Sequence, residues 1–226
     1  MLPETLQGCP SIDSWISFGK DGVVTVFSGK VEIGQRITTA LSKIVSSELE
    51  VDILRVAVTC ADTALTPDEG YTAASCSMEM SGSAIRYVAA AAKEKLLSMA
   101  AEKFSCDTEE LKISDGTISN YSGTSVVTYW DLLGDTGFES DLSDKIVETK
   151  AFIERDSSDQ VSYQRSLAIA TGEFEYAQDH ARPNMLHGRV VRPPNYHSRL
   201  ESADAGSVES MAGVNRVVQN GSFLAV

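Results

Sequence analysis

The sequence has no cluster of basic residues. Its 19 Lys and Arg are outnumbered by 32 Asp and Glu, giving a formal net charge of -13 at pH 7. Binding to a phosphate backbone draws on clustered cations, so nucleic acid is excluded as a partner. No apolar run approaches the roughly 20 residues that cross a bilayer. The four cysteines, Cys9, Cys60, Cys76 and Cys106, have none of the paired spacings that hold zinc or an iron–sulfur cluster, and free thiols are expected. There is no serine, histidine and acid arrangement suited to hydrolysis, and no phosphate-cradling glycine loop of the nucleotide-binding type. His180 and His197 match no ligand spacing, and His187 is read as structural. Met1 to Pro10 lacks the basic region and apolar core of a secretory signal, so the expected location is the cytoplasm or the periplasm without a leader in this chain. What is present is ordinary: 226 residues, 42% hydrophobic and 23% charged, enough for one large domain or two small ones.

The stretch from Phe27 to Gly82 organises the chain. Trp15 to Phe18 and Val23 to Ser28 read as a hairpin around Lys20, Asp21 and Gly22. The return strand delivers the chain to Gly29, Lys30, Val31, Glu32, Ile33, Gly34, Gln35 and Arg36. From Thr38 to Leu49, apolar residues at Ala40, Leu41, Ile44, Val45 and Leu49 predict a helix with one buried face. A strand from Arg55 to Cys60, a polar run from Ala61 to Gly70, and the small residues Thr72 to Ser77 follow, opening a second helix near Met78. Gly34 and Gln35 thus precede one helix, and Ser75, Cys76 and Ser77 begin another. Unpaired backbone N–H groups at such ends favour an anion, such as a phosphate or a metal oxo group. The small side chains let a flat ligand come close to the backbone.

The run Gly29 to Gln35, with Thr38 or Thr39 beyond it, resembles the first molybdopterin-binding segment of the molybdenum hydroxylases, the xanthine dehydrogenase and aldehyde oxidase family. Asp62 to Thr72, followed by Ser75 to Gly82, is similar to the large subunit of the isoquinoline 1-oxidoreductase and nicotinate dehydrogenase branch. The resemblance implies that Gln35 donates a hydrogen bond to an oxo ligand of the molybdenum. It also implies that Gly34, Ser75, Cys76 and Ser77 contact the pterin, with no protein side chain of this chain binding a metal. The implied cofactor is molybdopterin in its cytosine dinucleotide form. The implied reaction is hydroxylation of an N-heterocycle or aldehyde with oxygen from water, electrons leaving through a small [2Fe-2S] subunit. One departure stands out: the family usually has glycine after the glutamine, and here the residue is Arg36. Glu32 and Glu69 lie in the loops, but neither matches the family's general base, and Glu32 is expected to brace its loop.

Ser81 to Phe104 is the strongest predicted helix, with Ile85, Val88, Ala92, Leu96 and Met99 or Ala100 on one stripe. Leu111 to Ile113, Thr117 to Ser119 and Val126 to Val127 predict a small antiparallel sheet, and Tyr129 to Leu133 a short helix. Gly134 to Gln160 is acidic and reads as a surface connection. Ala170 to Tyr176, then Pro183 to Pro194, resembles the start of the hammerhead domain of the same family, with two more strands in Val214 to Val226. Arg189, Arg192 and Arg199 are read as salt-bridge partners. The expected fold is α+β: a molybdopterin-binding segment over 1–133, a linker over 134–160, and an incomplete α/β-hammerhead over 161–226. The expected partners are the iron–sulfur subunit, the C-terminal part of the large subunit, a small-molecule substrate and a second copy of the chain. Activity is expected only with that C-terminal part; a non-catalytic interaction module is the alternative.

Overall fold

The computed structural model describes residues 3–134, 136–142 and 158–226. Most of the acidic connection, 143–157, therefore lies outside the described residues. The described residues form an α+β chain in two compact units, Met1–Tyr176 and Ala177–Val226.

The first unit opens with the single-turn helix α1 (Glu4–Gly8), then β1 (Ile16–Phe18) and β2 (Val24–Ser28), which pair antiparallel as the sequence pattern predicts. Gly22, at φ 79°, takes the left-handed step of the turn. Trp15, fully buried, anchors the hairpin by donating from its indole N–H to Cys9 O at 2.9 Å. From β2 the chain crosses through α2 (Ile37–Leu49) to β3 (Val56–Cys60), which runs parallel to β2 with Val24 opposite Val56 and Ser28 opposite Cys60. The β2–α2–β3 crossover puts the carboxyl ends of both strands at one edge of the sheet, where ligands bind in open α/β sheets. Val24, Val26 and Ser28 of β2 are buried and Thr25 and Phe27 half-buried, the alternation of a strand with one face on the core.

The long helix α3 (Ser83–Phe104) packs across α2. The expected stripe is buried at Ile85, Val88, Ala92, Leu96 and Ala100, but Ala84 and Ala89 to Ala91 are buried too, so the first half of α3 is enclosed on more than one side. Two ion pairs stitch the helices together: Arg86 Nε donates to Glu48 Oε1 at 2.7 Å, and Lys93 Nζ donates to Glu50. Before α3 the chain makes a wide turn over Met78–Gly82 with π-type hydrogen bonding, a local widening often found at functional sites.

A second antiparallel sheet, β4 (Leu111–Ser114), β5 (Thr117–Asn120) and β6 (Val126–Thr128), leads into α4 (Tyr129–Leu133). Thr128 and Asp131 form a capping box at its start. Asp115 ties this sheet to the first, accepting from Asp52 N–H at 2.8 Å and Arg55 Nε at 3.0 Å, while Tyr129 donates its buried hydroxyl to Leu49 O at 2.8 Å. The sequence pattern does not predict helix α5 (Ser158–Thr171), whose first turn holds Gln160, expected to be linker.

In the second unit, α6 (Ala205–Glu209) precedes the hairpin of β7 (Val218–Asn220) and β8 (Phe223–Ala225). Residues 189–191 add to this hairpin: Arg189 and Val226 exchange backbone hydrogen bonds, and Val191 N–H donates to Leu224 O. The unit carries a cleft of about 490 Å³ whose walls include Val191, Pro193, Phe223, Arg192 and Arg199.

Candidate functional site

Two loops leave the carboxyl ends of β2 and β3: residues 29–36, and residues 61–77. In the first, Gly34 sits at φ 100°, a conformation glycine reaches without strain, and Gln35 is exposed. The Gln35 amide is held at both ends. Its Oε1 accepts from Ile33 N–H and its Nε2 donates to Val31 O, each at 2.7 Å. An amide nitrogen carries two hydrogens, so one N–H of an oriented side chain remains for a ligand.

Glu32 shapes this loop, as expected for a bracing acceptor. Its Oε1 accepts from the backbone N–H of Gly34 at 3.0 Å and of Arg36 at 2.9 Å, and its Oε2 accepts from Thr38 N–H at 3.2 Å and Thr38 Oγ1 at 3.0 Å. The carboxylate therefore fills the N-terminus of α2, where a negative charge is favoured. This corrects the expectation of a ligand anion at that helix end: the chain supplies its own. Chain proximity brings Glu32 there, since a side chain four residues before Arg36 reaches the first turn.

Arg36 stands at φ 63°, in the left-handed region that glycine occupies freely and an arginine reaches only with strain. Its guanidinium turns to helix α5 and donates from Nη2 to Ser162 O at 2.8 Å, with Nε buried and without a partner. Arg165 of α5 donates to Ser42 Oγ at 3.0 Å. Burial lowers the Arg165 guanidinium from its ordinary range; Glu32 opposes that shift, and the like charge of Arg36 adds to it. Beside the loop, the Tyr176 hydroxyl lies 3.5 Å from where a Cβ on Gly34 would sit.

In the second loop, Ala74 and Ser75 both adopt left-handed backbone, at φ 54° and 58°, and Cys76 N–H donates to Ala73 O at 3.2 Å. Ser75 is exposed, and Cys76 and Ser77 are half-exposed ahead of the π-type turn. The two loops are laced by hydrogen bonds that sequence reasoning missed. Val31 N–H donates to Thr72 Oγ1 at 2.8 Å, and Lys30, 1% exposed, donates from Nζ to Glu69 O at 2.6 Å and Tyr71 O at 3.0 Å. Glu69, 4% exposed, accepts through Oε2 from Ser28 Oγ and Gly29 N–H at 2.8 Å and from Ser81 Oγ at 3.1 Å. The signal lay in a lysine just past the end of a buried strand and an acid at the close of the polar run that precedes the small residues Thr72 to Ser77.

Gly29 makes the close approach possible: a Cβ there would lie 2.2 Å from Pro67 O and 3.0 Å from Glu69 N. Cys60, at the end of β3, has its thiol pushed up to about 12 by burial and by the nearby carboxylates of Glu32 and Glu69. No group of three or more His, Cys, Asp or Glu side chains is placed to hold a metal ion among the described residues.

A family model of the molybdopterin cofactor-binding domain matches residues 4–182. The chain therefore belongs to this domain family, within the molybdenum hydroxylase class of oxidoreductases. It is 33% identical over 224 residues to a nicotinate dehydrogenase subunit of Pseudomonas putida, a match that covers 94% of this chain and 18% of that protein. It is 28% identical over 142 residues to the beta subunit of isoquinoline 1-oxidoreductase from Brevundimonas diminuta, covering 58% of this chain and 18% of that one. Solved structures give weaker likeness. CO dehydrogenase from Oligotropha carboxidovorans has a TM-score of 0.46 and 21% identity over 52% of this chain and 15% of that one. Quinoline 2-oxidoreductase from Pseudomonas putida 86 has a TM-score of 0.44 and 19% identity over 53% and 15%. The chain spans 18% of the length of each of these two curated relatives.

Proposed function

We propose that this chain is the N-terminal part of a molybdenum-dependent hydroxylase large subunit, and that the loops at 29–36 and 61–77 form one side of its cofactor pocket. The observation that carries the reading is the exposed, doubly held amide of Gln35 at the carboxyl ends of two parallel strands. That arrangement fits the cofactor: a neutral donor with one N–H to spare would suit a group rich in acceptor oxygens, and the small residues Gly34, Ser75, Cys76 and Ser77 would leave room for the pterin. When bound, the molybdenum cofactor supplies the two-electron oxygen-transfer chemistry. Gln35 would help hold that group as a donor that adds no charge, Glu32 holds the Gln35 loop in shape, and the Ser75 and Ser77 hydroxyls would offer hydrogen bonds to the pterin.

Other parts of the reading belong to the assembled enzyme. The cofactor carries a cytosine nucleotide, the substrate is an electron-poor N-heterocycle or an aldehyde, and a [2Fe-2S] subunit receives the electrons. The general-base carboxylate comes from the remainder of the large subunit, so this segment does not turn over by itself. The sequence division into 1–133, 134–160 and an incomplete hammerhead from 161 to 226 describes resemblance; physically, α5 packs on α2 of the first unit. Arg36 is the residue that favours a non-catalytic module; that its guanidinium bonds Ser162 of α5 supports the cofactor reading.

The reading is tested on protein made in a host that synthesises the cofactor, by acid hydrolysis and nucleotide analysis. Cytidine monophosphate released together with molybdenum and pterin supports it. Molybdenum with a guanine nucleotide overturns the cofactor form, and the absence of pterin overturns binding by these loops.

A further inference from the structure

The geometry points to Lys30 and Glu69 as positioning residues: together they form a buried clip that holds the 70–77 loop in register with the loop carrying Gln35. The inference rests on the cofactor reading above for its purpose, but the clip itself is a property of the chain alone.

Both side chains sit at the junction of the loops and both are almost wholly buried, Lys30 at 1% and Glu69 at 4% exposure. They work in opposite directions. Lys30 starts in the first loop and reaches the second, where its amino group donates to the backbone carbonyls of Glu69 at 2.6 Å and Tyr71 at 3.0 Å, with Met80 Sδ at 3.9 Å. Glu69 starts in the second loop and reaches back, its Oε2 gathering Ser28 Oγ, Gly29 N–H and Ser81 Oγ within 3.1 Å. Ser28 and Ser81 are themselves 2.7 Å apart, so the network also includes the π-type turn at the head of α3. Val31 N–H to Thr72 Oγ1 closes the lacing three residues before Ser75.

A loop with consecutive left-handed residues at Ala74 and Ser75 has few regular hydrogen bonds to fix it. A buried carbonyl at 69 and a part-buried one at 71, with the lysine amino group between them, supply that constraint, because removing the donor leaves the buried Glu69 carbonyl without this partner. The same logic holds on the acid side, where three donors converge on one oxygen while the other, Oε1, is buried with no partner. Glutamine can replace the useful oxygen without disturbing the three donors; leucine cannot.

The test is amide hydrogen exchange on the chain without cofactor, comparing residues 70–77 with the core of α3 at 88–100. Lys30→Met and Glu69→Leu are expected to speed exchange across 70–77 at least tenfold more than across 88–100. Glu69→Gln is expected to stay within threefold of the parent chain. Thr72→Val, a milder change of equal size, provides a second reading if the buried variants do not fold, with an expected threefold or larger local acceleration. Exchange at 70–77 that moves only in step with 88–100 in every folded variant overturns the clip, as does equal acceleration by Glu69→Gln and Glu69→Leu. If the parent chain binds no pterin, the cofactor reading fails while the exchange result still decides the clip.

Discussion

Glu32 accepts four hydrogen bonds from within six residues of itself, and the Gln35 loop depends on them. Glu32→Ala removes a charged cap as well as the loop brace, and a loss of about 2 kcal/mol is expected, at the upper end for helix caps. Urea unfolding measures it; a loss below about 0.5 kcal/mol, the range of inert surface changes, contradicts the bracing role. Gly29→Ala places a methyl 2.2 Å from a backbone carbonyl rather than a pliable side chain, and overpacking of about 1–3 kcal/mol is expected in the same assay. Cys60 gives a pH prediction. Its thiol rises from an ordinary 9.0 to about 12, so between those values the folded chain keeps a proton that the unfolded chain has lost. Stability from this group is complete below pH 9 and declines as pH rises toward 12. The folded protein is expected to resist thiol alkylation at Cys60 at pH 8, and mass spectrometry of labelled peptides checks this; labelling as rapid as in urea contradicts it.

At the scale of elements, the β1–β2 hairpin and the β2–α2–β3 crossover were legible because each follows a simple apolar period, two in the strands and near three and a half in α2. The loops holding Gln35 and Ser75 to Ser77 were legible through motif resemblance. Helix α5 was not. Its face is polar, Val161 is buried on it, and what docks it are long-range bonds from Arg36 to Ser162 and from Arg165 to Ser42, which local pattern cannot express. Glu32 in the α2 cap escaped for a related reason: the sequence marks an empty helix end, while the acid that fills it arrives by a loop fold. The Arg36 contact yields a prediction. Arg36→Gly relieves a left-handed residue, a gain of about 1 kcal/mol, and loses the tether to α5. Faster proteolytic cleavage within 158–171, with unfolding of the rest unchanged or later, is the expected result. Cleavage at the parent rate shows that Arg36 does not hold the helix.

The whole molecule combines a strongly acidic surface with exposed apolar side chains, among them Tyr71 and Leu54 in the first unit and Leu186 and Tyr196 in the second. Exposed apolar surface of this kind is expected to favour self-association. Light scattering is expected to show mass rising with concentration, and a constant monomer mass contradicts this. The central claim is that the Gln35 and Ser75 to Ser77 loops hold molybdopterin. Molybdenum and pterin content, measured side by side for the parent chain and for Gln35→Ala from a cofactor-producing host, tests it most directly. The account predicts that both co-purify with the parent chain, and that Gln35→Ala lowers retained molybdenum about tenfold or more, the effect of one hydrogen bond to a charged group. Absence of both from the parent chain, or equal retention by the two proteins, contradicts it.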